Sequence, residues 1–169
     1  MPFETTTHRL WRKLSREDRL DAARAFWRRP PEEAALAAAR EIVQILKVRP
    51  QAFHKIPLEQ RVRAVAGLAS PPEALAEALL VALHVESRRE LLGAFLDALG
   101  IPHEEGMLAE DAEFPPPAES AVRAAATDLS ARFSPDQLRV YWNTLWLQDR
   151  ERWAALETVA EGLPPAAEA

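Results

Sequence analysis

Apolar residues recur along this chain with the spacing of an α-helix. Leu20, Ala23 and Trp27 fall at positions i, i+3 and i+7, and similar rows of apolar residues follow in later segments. Residues at this spacing share one face of a helix. The pattern therefore predicts amphipathic helices over 8–14, 15–29, 31–49, 58–68, from 72 onward, 88–99, around 122–133 and 134–161.

The same spacing predicts which side chains face the core. The inward positions are small or aliphatic, whereas the positions between them are mostly charged or polar. Those expected to be buried include Ala35, Ala39, Ile42, Leu46, Leu58, Val62, Val65, Leu75, Leu79 and Leu83.

Several segments begin with residues that cap a helix. Ser15 and Ser134 each precede an acidic first turn. The serine oxygen can accept a hydrogen bond from an otherwise unpaired N–H of that turn, and the acidic side chain lies near the positive end of the helix. Residues 87–90 match the capping box S-x-x-E, so either a new helix begins there or the helix from 72 runs through. Gly100 is a residue type that commonly ends a helix.

Residues 101–117 carry the weakest helical pattern. They contain His103 and two acidic runs, and they are expected to form a short helical turn and a solvated acidic loop. The carboxylates of the second run, Glu110, Asp111 and Glu113, do not follow the D-x-D-x-D-G spacing of a calcium loop. No metal site is therefore predicted.

The predicted fold is all-α. Ile, Val and Thr together number only 19, too few for an extensive sheet. The length suits one irregular antiparallel helical bundle of seven to nine helices over 1–162, with a frayed tail at 163–169. A similar block of residues recurs after 42 and then 45 residues, at positions 14, 56 and 101. This period is typical of HEAT-like two-helix repeats, which stay open as a second interpretation.

The composition excludes several kinds of chemistry. The chain has no cysteine, which excludes disulfides, thiolate metal sites and a cysteine nucleophile. Five scattered glycines form no phosphate-binding loop. The E-x-x-H motif of di-iron bundles is absent as well. We therefore predict no cofactor, and a non-catalytic protein is favoured.

The net charge of −5 is unevenly distributed. Residues 1–65 hold 14 basic and 8 acidic residues, whereas 66–169 hold 7 and 18. Arg9, Arg12, Lys13 and Arg16 lie among aromatic residues, an arrangement that suits phosphate and base contacts in nucleic-acid binding. Acidic residues share the segment and no known motif is present, so a solvated or internally paired helix face is favoured.

The last predicted helix is rich in aromatic residues. Three Trp and one Tyr lie within residues 141–153. These residue types are enriched where proteins bind each other, and they also anchor small cores. Tyr141, Trp146 and Trp153 are therefore candidate partner-binding residues, for another protein or for self-association.

His84 is the other candidate of chemical interest. It lies in the most apolar segment, close to Glu86 and Arg88. A buried imidazole near a carboxylate can act as a base or bind a ligand, although a structural histidine is the commoner case. Two alternative functions therefore stay open: a nucleic-acid-associated protein that uses the Arg-rich N-terminal helices, and a helical enzyme or ligand-binding protein with a pocket near His84.

The leading hypothesis is a protein-interaction or adaptor module in the cytoplasm of a bacterium. Residues 1–9 lack the apolar core of a signal peptide. The longest uncharged apolar run, residues 78–85, is too short to cross a bilayer, so no membrane role is predicted.

Overall fold

The computed structural model describes residues 3–108 and 114–162. These residues form nine α-helices, one 3-10 helix and one π-helical turn, with no strand among them. The helices are α1 (Thr7–Lys13), α2 (Arg16–Phe26), α3 (Glu32–Leu46), the 3-10 helix (Pro50–Lys55), α4 (Leu58–Ala66), α5 (Glu73–Ala82), the π-helical turn (Leu83–Ser87), α6 (Arg89–Leu99), α7 (Glu119–Ser130), α8 (Pro135–Gln148) and α9 (Ala154–Glu161). The all-α prediction is confirmed.

The chain divides into two compact units. The N-terminal unit is Thr7–Ser87, and the C-terminal unit is Arg88–Ala169 together with Met1–Thr6. The single domain over 1–162 stays a prediction, and so does the two-helix repeat. The tail at 163–169 lies outside the described residues.

Helix α2 is central to the N-terminal unit, because it packs against α4, α5 and the π-helical turn. Helices α1 and α3 both pack on α5. Leu75 and Leu79 of α5 are fully buried, as their spacing predicted. Trp11 is also fully buried, and its indole N–H donates to the carbonyl of Leu68 at 2.9 Å. This hydrogen bond satisfies the one polar atom of the Trp11 side chain.

Two serine caps form as predicted. Ser15 Oγ accepts from the N–H of Asp18 at 3.0 Å. Ser134 and Gln137 form a full capping box, in which each side chain accepts from the other residue's N–H. Gly100 ends α6 in the left-handed conformation, with φ of 66°.

The first helix is capped by a residue that is distant in sequence. Glu73 Oε1 accepts from the backbone N–H and the hydroxyl of Thr7, and its Oε2 lies 3.2 Å from Nδ1 of His8. A carboxylate suits the unpaired N–H groups at a helix start. Thr7 is the first residue of α1.

The buried face of α3 differs from the predicted one. Ala34, Ala38 and Ile42 face the core, whereas Ala35 and Ala39 are only half-buried. The residues from 34 to 39 are all Ala or Leu, so the apolar pattern does not select one face. Leu58, also expected inside, is 55% exposed because it is the first residue of α4.

The segment that joins α5 to α6 also differs from expectation. Ser87 does not cap a helix, because it lies inside the π-helical turn, and Arg88 is the residue that precedes α6. The π-helical turn adds a residue to the helical ladder and so changes which side chains face inward.

In the C-terminal unit, α7 packs against α6 and α9, and α8 packs against α9. Leu129, Leu138 and Trp142 are fully buried. The indole N–H of Trp142 has no hydrogen-bond partner within the described part of the chain. Trp142 therefore contributes apolar contact to the core while one polar atom stays unpaired.

The predicted continuous last helix is wrong, because α8 and α9 are separate. Asp149 is extended, and its Oδ1 accepts from the N–H of Arg152 at 3.0 Å. Short acidic side chains compete in this way with the helical backbone bonds. Trp146 and Trp153 therefore do not share one helical stripe.

A tight turn replaces the short helical turn expected after α6. Glu104 and Met107 each donate an N–H to the other's carbonyl at 2.9 Å. The two residues between them, Glu105 and Gly106, have φ of 50° and 83°. Two positive φ values define a type I′ turn.

Candidate functional site

Two of the three candidate partner residues are core residues. Tyr141 is buried with its ring edge-to-face on Phe95, the centroids 5.6 Å apart. Burial also raises the pKa of the Tyr141 phenol. Trp153 is 5% exposed and packs on Phe95 and Phe114. Tyr141 and Trp153 therefore lie in the core of the C-terminal unit, and their assignment as partner-binding residues stays a prediction.

Trp146 is the half-buried member of that set, and the chain's own amino-terminal segment packs on it. The ring of Phe3 lies 5.7 Å from the ring of Trp146, and the guanidinium of Arg150 lies 4.5 Å from the same ring. Phe3 itself is 7% exposed. The Trp146 ring on α8 therefore makes its aromatic and cation–π contacts within the C-terminal unit.

Asn143 holds the backbone of that segment. Its Oδ1 accepts from the N–H of Glu4 at 2.8 Å, and its Nδ2 donates to the carbonyl of Glu4 at 3.0 Å. Arg150 donates to the carbonyl of Thr5 at 3.0 Å. We call Asn143, Trp146 and Arg150 the clamp. Asn143 was not among the residues predicted from the sequence, where its one distinguishing sign is that it is the only asparagine in the chain.

A second surface lies on α3. Leu36, Ala39, Val43 and Leu46 follow each other at spacings of three, four and three residues, and we call them the α3 row. Leu36 is 55% exposed, and the other three are half-buried. At 100° per residue the row lies about 120° round the helix from the buried stripe. The fold therefore leaves Leu36 open to solvent and covers the other three residues of the row in part.

Two cations border the α3 row on the side away from the core. Arg40 and Lys47 lie about 40° and 20° round the helix from Leu36. Both are exposed, and neither makes an ion pair with the residues that the structure describes. Lys47 ends α3 in the left-handed conformation, with φ of 51°.

His84 lies in the π-helical turn and is 3% exposed. In the same turn, Glu86 Oε2 pairs with Arg28, two residues beyond the end of α2, at 3.1 Å. Arg88 belongs to the other unit. The structure thus places His84 in the core of the N-terminal unit, and the predicted ligand pocket beside it stays a prediction.

The candidate nucleic-acid residues lie on the surface. Arg9, Arg12, Lys13 and Arg16 are all exposed. In the described part of the chain, no ion pair involves Arg9, Arg12 or Arg16, whereas Lys13 has a polar or charged partner. Their placement agrees with a solvated face.

Two shallow grooves in the C-terminal unit flank the ion pair of Arg89 and Glu105, whose atoms are 2.8 Å apart. Their volumes are about 610 and 520 Å³, and neither is lined by His84. His103 lines one of them, and both of its ring nitrogens are engaged. Nδ1 accepts from the N–H of Gly106 at 2.9 Å, and Nε2 lies 3.1 Å from Asp97 Oδ1.

These contacts determine which ring nitrogen of neutral His103 carries the proton. Because Nδ1 accepts a hydrogen bond, the neutral ring carries its proton on Nε2 and donates it to Asp97. Neither nitrogen is then available to take a proton from a substrate. In this arrangement His103 is therefore not placed to act as a general base.

Within residues 3–108 and 114–162, no three His, Asp or Glu side chains are grouped to hold a metal ion. Glu110, Asp111 and Glu113 of the acidic loop lie outside those residues. No helix in the described ranges is long and apolar enough to cross a membrane.

Comparison with known proteins finds no match. No family model, no curated protein and no solved structure is similar enough to the chain to assign it to a family.

Proposed function

We propose that the protein is a non-catalytic interaction module and that the α3 row is its docking face for a protein partner. The observation that carries the proposal is the exposure of Leu36, at 55%, within a continuous apolar row. Contiguous apolar surface that the fold does not cover is typical of protein-binding sites. The cytoplasmic location expected from the sequence remains part of this proposal.

The spacing of the α3 row favours a helical partner. Positions three and four residues apart form the a and d seam of a coiled coil, which a second helix covers with its own apolar row. Leu36 and Val43 would occupy a positions, and Ala39 and Leu46 would occupy d positions. The partner is therefore an amphipathic helix.

The charges beside the row favour an acidic partner. Arg40 and Lys47 occupy e positions next to the seam. Two antiparallel copies of α3 would bring these cations together, and like charges at such positions are destabilising. A partner helix with acidic residues beside its apolar row would instead pair with them.

A helical peptide of about three heptads, with leucine at a and d and glutamate at e and g, is a suitable probe. We expect micromolar binding by fluorescence anisotropy, and binding about tenfold weaker for Leu36→Glu. The matched control is Leu58→Glu, because Leu58 is equally exposed, at 55%, but lies on α4. A version of the peptide with lysine in place of glutamate should bind more weakly than the original.

Three results would contradict the proposal. They are an absence of binding, equal binding by Leu36→Glu and the native chain, and equal loss in the Leu58→Glu control. The remaining alternative is that the α3 row binds a second copy of this chain. Sedimentation tests it, because the native chain would then self-associate and Leu36→Glu would abolish the association.

The basic stretch is expected not to bind nucleic acid tightly. Arg16 shares α2 with Glu17 and Asp18, whose carboxylates would repel phosphates close to the basic stretch. We expect no micromolar binding to a DNA or RNA duplex at moderate salt, and no change in the Arg12→Ala, Arg16→Ala double variant. Tight binding that weakens steeply with salt, and is lost in that variant, would favour the nucleic-acid alternative.

A further inference from the structure

The contacts of Asn143 are those of a backbone receptor. One amide side chain satisfies both the N–H and the carbonyl of a single residue, Glu4. A residue in an antiparallel strand makes the same two bonds with its neighbour. Asn143 is 2% exposed, so its amide is held in place by the core of the C-terminal unit. This pair of bonds recognises backbone, whatever the side chain at that position.

Trp146 adds selectivity for an aromatic side chain, and Arg150 extends the recognised segment by one residue. Trp146 contacts the side chain that precedes the recognised residue, Phe3, with the ring centroids 5.7 Å apart and the ring planes tilted by 57°. Arg150 takes the carbonyl of the residue that follows, Thr5. The three contacts together define an aromatic residue followed by two positions that are read through backbone atoms.

We propose that the clamp is a binding site for an extended segment of a partner protein that carries an aromatic residue, and that residues 3–5 occupy it as an intramolecular competitor. The ligand class is a peptide with the pattern aromatic-x-x, and the chain's own Phe-Glu-Thr shows how such a peptide fits. This site is separate from the α3 row and does not depend on it.

The strength of the competition from residues 3–5 follows from their covalent link to the rest of the chain. A tethered segment acts at an effective concentration of about a millimolar, so it excludes weak free peptides. A partner segment must bind more tightly than the tethered one, or the tethered segment must be released. The clamp is therefore closed at rest and opens to a stronger ligand.

The test uses the full chain with its own segment weakened. Phe3→Ala removes the ring on Trp146, and Glu4→Pro removes the N–H that Asn143 accepts. The probe is the synthetic peptide Pro-Phe-Glu-Thr-Thr-Thr, added up to about 1 mM. Because Asn143 is the only asparagine, selective ¹⁵N-asparagine labelling gives side-chain signals from the clamp alone.

We expect the peptide to shift the Asn143 signals of the weakened variant with saturation, and to bind the native chain at least tenfold more weakly. A control peptide with alanine in place of phenylalanine should bind more weakly as well. Adding Asn143→Ala to the weakened variant should abolish saturable binding, followed through the indole NMR signals. If the weakened variant with both Phe3→Ala and Glu4→Pro loses its helical circular dichroism, the variant with Phe3→Ala alone is used instead.

Two outcomes would overturn the proposal. In the first, the Asn143 signals of the folded variant do not respond to the peptide. In the second, the native and weakened chains bind equally, which would mean that residues 3–5 do not compete. Concentration-dependent dimers of the native chain that dissociate in the weakened variant would reassign the clamp to exchange of this segment between two copies.

Discussion

Replacing Trp142 with alanine is expected to lower the free energy of unfolding by about 3–5 kcal/mol. The side chain is fully buried in the C-terminal unit, so its removal loses apolar burial and leaves a cavity. Trp146→Ala should cost only about 1–2 kcal/mol, because that ring is half-buried and loses one aromatic contact and one cation–π contact. Urea unfolding followed by circular dichroism measures both variants.

A phenylalanine series isolates the role of the indole N–H. Trp142→Phe loses some apolar area but also removes a buried N–H without a partner in the described residues, so the two effects nearly cancel. Trp11→Phe leaves the carbonyl of Leu68 without its donor and should cost about 1–3 kcal/mol more. Equal losses in the two variants would show that Trp142 has a partner after all.

Gly106→Ala is expected to lower the free energy of unfolding by about 2–4 kcal/mol, as the sum of backbone strain and overpacking. Gly106 has φ of 83°, which residues with a Cβ atom adopt at a cost. An added Cβ would also lie 2.9 Å from Leu92 Cβ and 3.2 Å from the carbonyl oxygen of Arg89. The turn would have to move away from α6.

The matched control is Gly100→Ala. Gly100 also has a positive φ, of 66°, but an added Cβ would meet no atom within 4 Å. This variant should therefore show the cost of the backbone conformation alone, about 1 kcal/mol. If urea unfolding gives equal losses for the two variants, the close contact between the turn and α6 is wrong.

Local chemistry made part of the fold predictable. Ser15 and Ser134 cap their helices with N–H groups only three residues away, so the signal lies within one short segment. Gly100 ends α6 for a similarly local reason, its tolerance of positive φ. The leucines of α5 follow the helical period and are buried.

Two kinds of feature were not predictable: a local hydrogen bond that leaves the apolar pattern unchanged, and contacts between residues distant in sequence. The break at Asp149 was missed because helical periodicity continues across it, while the competing Asp149–Arg152 bond has no effect on that pattern. Glu73 caps α1 from another helix. Asn143 binds Glu4 from the opposite end of the chain, so no motif of neighbouring residues could indicate the clamp.

The division into two units distributes the five tryptophans so that each unit carries its own fluorescent reporters. Trp11 and Trp27 belong to the N-terminal unit, and Trp142, Trp146 and Trp153 belong to the C-terminal unit. Each set includes a fully buried indole, whose emission shifts to longer wavelength when water reaches it. Biosynthetic labelling with 5-fluorotryptophan would separate the five signals by NMR. Equal unfolding midpoints for all five signals would show that residues 1–162 unfold as one cooperative unit, and different midpoints for the two sets would show two units.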